Sequence, residues 1–380
     1  MIPREYRGVG FAVVLFVLIQ LGALALVPEF VASGYEPVEN PQDPANSLVY
    51  IGAVLGATVL MLAAFRFDLD WAVRLVIVGV SGLLAWYVFG ALLTPTLGIL
   101  PAAGVAVALL VYPEWYVIDA SGVVMGAGAA GLFGISFGLL PALILLTALA
   151  VYDAISVYGT EHMLSLAEGV MDLQIPVVLV IPLTASYSLF EDDFSGAADV
   201  HEPTEAEAEM EAEVGTDTKA ETETETETET KTETEPETRA EAEIQMEADV
   251  EVEEAEAKTD GAEEPDWATE PEGEPPEDPD RDAFFIGLGD AVIPAVLVAS
   301  SLSFSPAPTF ELLLVSLNLP ALFAMAGTIA GLLVLMHWVM KGRAQAGLPL
   351  LNGGAIAGYL IGSLVAGVPL LEAVGLAGLI

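Results

Sequence analysis

The stretch "FFIGLGDAVIPAVLVAS", residues 284–300, is apolar or small at every position except Asp290. It is long enough to lie in a lipid bilayer, yet its one carboxylate directly follows a Gly-Leu-Gly run. A second stretch, "LLTALAVYDAISVYG" at 145–159, holds Asp153 in similar surroundings. An ionised carboxylate at bilayer depth costs at least ~2.5–3.5 kcal/mol on insertion scales, so each must face a partner or a watery cavity. Whether these segments span a membrane decides the fold.

Two chemically opposite chains share this sequence. Outside residues 191–283, long apolar runs are broken only by short polar links, whereas that window holds 38 of the 54 acidic residues. A mean hydropathy of +0.62 beside a net charge of −43 fits a membrane domain carrying an acidic insert. The insert has too little apolar bulk to offset its conformational entropy, so it is expected to be disordered. Its run "ETETETETET" at 221–230 alternates like a strand, but charge stacked on one face opposes a sheet.

Several classes are excluded by composition. With no cysteine there is no disulfide framework, thiolate metal site or cysteine nucleophile. Eleven basic residues in 380 leave no electrostatic footprint for nucleic acid. Such acidity in the polar part suits a protein kept solvated in concentrated salt, a halophilic trait.

A helix needs about 20 apolar residues to cross the hydrocarbon core. Nine runs qualify, at 9–27, 47–65, 72–93, 96–112, 117–135, 138–158, 284–303, 319–340 and 350–368. The expected fold is an all-α polytopic membrane protein of nine transmembrane helices. Helices 1–6 occupy residues 1–158, and an amphipathic or extended segment follows at 159–190. The acidic cytoplasmic loop covers 191–283, and helices 7–9 cover 284–380. The fifth run, with "SGVVMGAGAAGLFG", is rich in small residues and suits an interior helix. The first is long for a signal core and "VASGYE" is a poor cleavage site, so a retained helix is expected.

With nine spans, all eleven basic residues, from Arg4 to Arg343, fall on the side of the N-terminus. The positive-inside rule then puts the N-terminus and the acidic insert in the cytoplasm and the C-terminus outside. Spans 6 and 7 run antiparallel, so Asp153 and Asp290 share the cytoplasmic half of the bilayer, the latter about two turns into its span. There they are able to face each other across one water.

Two carboxylates sharing a site cannot both ionise cheaply, so one keeps a proton. The ionised member takes a proton from water while the protonated one polarises a peptide carbonyl. Gly287 and Gly289 remove side chains beside Asp290, which lets a substrate backbone approach. Tyr152 either caps the pocket or sits as an interfacial tyrosine.

The "YD" of span 6 and the "GLGD" of span 7, in a nine-span layout with a long loop between the aspartates, resemble the presenilin and signal peptide peptidase family. These are GxGD-type intramembrane aspartyl proteases, and the resemblance covers nearly the whole chain. It implies Asp153 and Asp290 as the catalytic pair, Gly287, Leu288 and Gly289 as the turn shaping the site, and no cofactor or metal. It also implies transmembrane proteins or peptides as substrates within the lipid bilayer.

The family's Pro-Ala-Leu signature before the last span is where this chain departs. That tripeptide stands at Pro141-Ala142-Leu143 and Pro320-Ala321-Leu322, which open spans 6 and 8. Before span 9 the counterpart is Leu348-Pro349-Leu350, expected to break the helix and offer backbone to substrate by β-strand addition. The resemblance also suggests a short amphipathic helix after span 6 and a strand at 175–183; a surface helix and a partly buried linker fit those residues equally.

Other signals carry less. "GISFG", Gly134 to Gly138, matches a serine-nucleophile pattern but sits at a span junction, and His337 is the only histidine in a span. Glu161-His162 lacks the second histidine of a zinc helix. Asp119 reads as interfacial, solvated or helix-capping, Glu114 and Asp68 as solvated, and Gly353, Gly354 and Gly358 as packing residues of span 9. The alternative function is a proton- or cation-coupled transporter using the same aspartates as ion sites, though no internal repeat supports it.

Overall fold

A computed structural model describes residues 4–35, 38, 40–67, 69–159, 178–184, 187–189, 283–312, 315–341 and 346–376. All of them belong to one compact unit drawn from residues 1–198 and 280–380. Asp68, Glu161, His162, the expected surface helix after residue 159 and the acidic insert up to residue 282 lie outside the described residues.

The apolar runs become helices: α1 (Arg4–Ala32), α2 (Ala45–Arg66), α3 (Asp70–Leu92), α4 (Ile99–Val111), α5 (Trp115–Ser136) and α6 (Leu139–Gly159). After strand β1 (Val178–Pro182) and strand β2 (Ala283–Gly287) come α7 (Leu288–Phe304), a hairpin of β3 (Thr309–Leu312) and β4 (Val315–Asn318), α8 (Leu319–Val339), α9 (Gly347–Val365) and the short α10 (Leu370–Ala373). Among the described residues, six helices are long and apolar enough to cross a membrane: α1, most of α3, α5, most of α6, α8 and α9. Three apolar stretches are shorter, at Ala45–Met61, Ile99–Val111 and Leu288–Phe304. At 1.5 Å per residue α4 reaches only about 20 Å.

The largest departure from the sequence reading is at residue 284. The run beginning there does not open as a helix: Ala283–Gly287 is a strand, paired antiparallel with β1 from Val178↔Gly287 to Pro182↔Ala283. Phe-Phe-Ile suits a strand and a membrane helix equally, so hydropathy cannot separate them. Asp290 therefore lies in the first turn of α7 rather than two turns into a span.

Burial follows from side-chain size. Ala291, Ala295, Val296, Leu297, Val298 and Ala299 of α7 are all fully buried, so this is an interior helix, packed against α1, α5, α6, α8 and α9. Glycines on α5 make the approach possible. A Cβ at Gly126 would meet Val292 at 3.2 Å and Ile19 at 3.3 Å, and one at Gly134 would strike Ala299. Without a hydrophobic force between helices in lipid, such small-residue seams set the packing. By contrast α2, α3 and α4 present Val49, Leu60, Leu75, Leu100 and Val111 outward, as a lipid-facing surface requires.

The α8–α9 pair is packed backbone to backbone. Added Cβ atoms at Gly327, Gly331, Gly354 and Gly358 would collide with Gly354, Leu350, Gly327 and Phe323 carbonyls respectively. Gly353, grouped with the packing glycines above, has nothing within 4 Å of its Cβ position and does not belong to this seam.

Candidate active site

Two elements bring the aspartates together. Asp153 sits on α6, two turns beyond Leu146, and α9 is tied to α6 at both levels. The amide of Asn352 donates to the Leu146 carbonyl over 2.9 Å, and the Leu348 N–H donates to Asp153 Oδ2 over 3.0 Å. Positions 348 and 352 lie one turn apart on α9, so the two bonds register the antiparallel helices. Asp153 thus sits at the N-terminus of α9, where unpaired helix amides favour an anion.

Asp290 reaches the same end of α9 that Asp153 does, its Oδ2 3.2 Å from the Cβ position of Gly347, next to the Leu348 that bonds Asp153. It is half-buried at the start of α7, and the glycines around it set its space. A Cβ on Gly287 would stand 3.4 Å from Asp290 Oδ2, and one on Gly347 only 3.2 Å away. At Gly289 a Cβ would meet nothing within 4 Å, so open space adjoins the carboxylate's turn. Pro294, four residues on, has no N–H to give, so the ordinary helical bond to the Asp290 carbonyl is missing.

Leu288 is buried against α5, near Gly122. Tyr152 is 47 % exposed and makes no hydrogen bond to either aspartate among the described residues. Contrary to the expected helix break, Leu348, Pro349 and Leu350 form part of the first turn of α9 after Ala346. A proline fits there because first-turn N–H groups have no helical partner to lose. The segment at 178–182 is a strand, and its partner is the chain's own β2.

Two carboxylates read as solvated or interfacial are buried and bonded. Glu114 is 5 % exposed; it caps α5, accepting from Trp115 N, Ser188 Oγ and Leu189 N. Asp119, 3 % exposed, accepts from Val180 N over 2.8 Å. Apart from Trp115, their partners are 61 to 75 positions away, which no local pattern reveals. Gly347 was likewise missed, because only the fold brings it beside Asp290. The "GISFG" serine is buried and donates to the Leu132 carbonyl, while His337 is exposed, so the two do not form a dyad.

The family model described as signal-peptide peptidase, presenilin aspartyl protease matches residues 13–211 and 241–368. Among solved structures, a presenilin family intramembrane aspartate protease in a C222 crystal form aligns with 27 % identity and a TM-score of 0.53. That alignment covers 94 % of this chain and 99 % of the other. A P2 crystal form aligns with 27 % identity and a TM-score of 0.50, over 93 % and 96 % of the two chains. No curated protein matches.

Proposed function

This chain belongs to the signal-peptide peptidase and presenilin family of aspartyl proteases, and on that premise we propose that it hydrolyses peptide bonds within transmembrane segments of other proteins, with Asp153 and Asp290 as the catalytic pair. The observation that carries this reading is that both carboxylates, 137 positions apart in sequence, lie against the first two residues of α9: Asp153 accepts from Leu348 N over 3.0 Å and Asp290 Oδ2 stands 3.2 Å from the Cβ position of Gly347.

The pair holds one proton between its members. The ionised carboxylate removes a proton from water as the oxygen adds to the scissile carbonyl carbon, and the protonated one donates to the carbonyl oxygen. The tetrahedral diol then collapses, the C–N bond breaks, and a proton from the pair goes to the leaving amine. Asp153 is held in place by the Leu348 N–H. The substrate helix must first unwind, because an intact helix hides its carbonyls in its own bonds. Gly287, Leu288 and Gly289 shape one wall of the space it enters, and Leu348, Pro349 and Leu350 border the other.

The proposal retains nine spans, the three short ones included, with the N-terminus and acidic insert cytoplasmic and the C-terminus outside. The transporter alternative has no observation in its favour. Purified protein in detergent, given a single-span reporter, should release two fragments whose masses locate the cut inside the span. Intact reporter, together with proton flux in vesicles, would favour the transporter.

A further inference from the structure

We propose that Asp119 is a positioning residue for the reaction, fastening the β1–β2 sheet to α5 so that the turn carrying Asp290 is held in place. This rests on the protease reading above. In an antiparallel pair, alternate residues turn their N–H groups toward the partner. Val180 gives its N–H to Asp119 Oδ1, and Pro182, of the same parity, has none to give. Leu179 and Ile181 are therefore the residues that bond β2, while the outer edge of β1 is closed by a carboxylate of α5.

The attachment reaches the site through few steps. Gly122, three residues along the same α5 face, leaves room for both Leu179 of β1 and Leu288 of α7, at 3.0 and 3.7 Å from its Cβ position. Strand β2 runs into α7 without a break, so Phe284 to Asp290 is a single short lever. One end of that lever is paired to β1 and the other packs on α5. If β1 is released from Asp119, the lever loses its fixed support.

The side chain allows a discriminating substitution. Oδ2 of Asp119 is buried and has no hydrogen-bond partner among the described residues. Asp119→Asn keeps the acceptor for Val180 and removes only the charge. Asp119→Ala removes the acceptor.

Two readouts decide the matter. The first is cleavage of the single-span reporter, where Asp119→Ala should lower kcat about tenfold or more with KM nearly unchanged, while Asp119→Asn stays within about threefold of wild type. The second does not depend on activity. The chain has no cysteine, so Val180→Cys with Phe285→Cys, which face each other across the sheet, reports pairing by disulfide formation under mild oxidation. Adding Asp119→Ala should slow that capture, and adding Asp119→Asn should not. Capture and kcat both unchanged in Asp119→Ala would overturn the proposal, as would loss of pairing with full kcat. If wild type cleaves nothing, the protease reading falls, and unchanged capture in Asp119→Ala would still overturn the anchor.

Discussion

The amide of Leu348 donates to Oδ2 of Asp153 over 3.0 Å, although 195 positions separate the two residues. This bond makes the first turn of α9, which holds Leu348, Pro349 and Leu350, part of the candidate site itself. What reaches Asp153 is backbone, so the side chain at 348 is free to differ.

Removing that amide is the direct consequence to test. Leu348→Pro deletes the donor in a first turn that tolerates proline, and Leu348→Ala deletes only the side chain. A hydrogen bond to a charged group is worth about 1.5–3 kcal/mol, so Leu348→Pro should lower kcat roughly ten- to a hundredfold. Leu348→Ala should stay close to wild type, with melting temperature recorded for both.

Glycines at the site separate function from stability. Gly347→Ala adds a better helix former, worth up to ~1 kcal/mol, but puts a methyl 3.2 Å from Asp290 Oδ2. Its Tm should hold or rise while kcat falls. Gly289→Ala meets nothing in the resting protein; its cost should therefore appear in KM, as lost room for substrate.

The α8–α9 seam predicts the opposite pattern. Gly354→Val drives a side chain into the Gly327 backbone and should destabilise by about 1–3 kcal/mol or more. Neighbouring Gly353→Ala points into open space and should leave the thermal unfolding midpoint unchanged in detergent.

How much of this was legible beforehand depended on the range of the interaction. Hydropathy located the helices because burial in lipid is written in every residue of a run. Asp153 and Asp290 stood out because a carboxylate is costly in such runs, and that cost needs no knowledge of the fold. Strand β2 was hidden because Phe284, Phe285 and Ile286 satisfy a strand and a span alike. Glu114 and Asp119 were misjudged because a polar residue near a helix start looks solvated until its distant partners, Val180, Ser188 and Leu189, are placed. The use of the Leu348 amide was invisible for a simpler reason: backbone donors leave no mark in sequence.

The central claim is that Asp153 and Asp290 act as one catalytic pair. Cleavage of a single-span reporter by purified wild type, Asp153→Ala and Asp290→Ala, each checked for folding by its melting transition, tests it most directly. Either substitution should abolish cleavage while the fold remains. Substantial cleavage by either folded variant would contradict it.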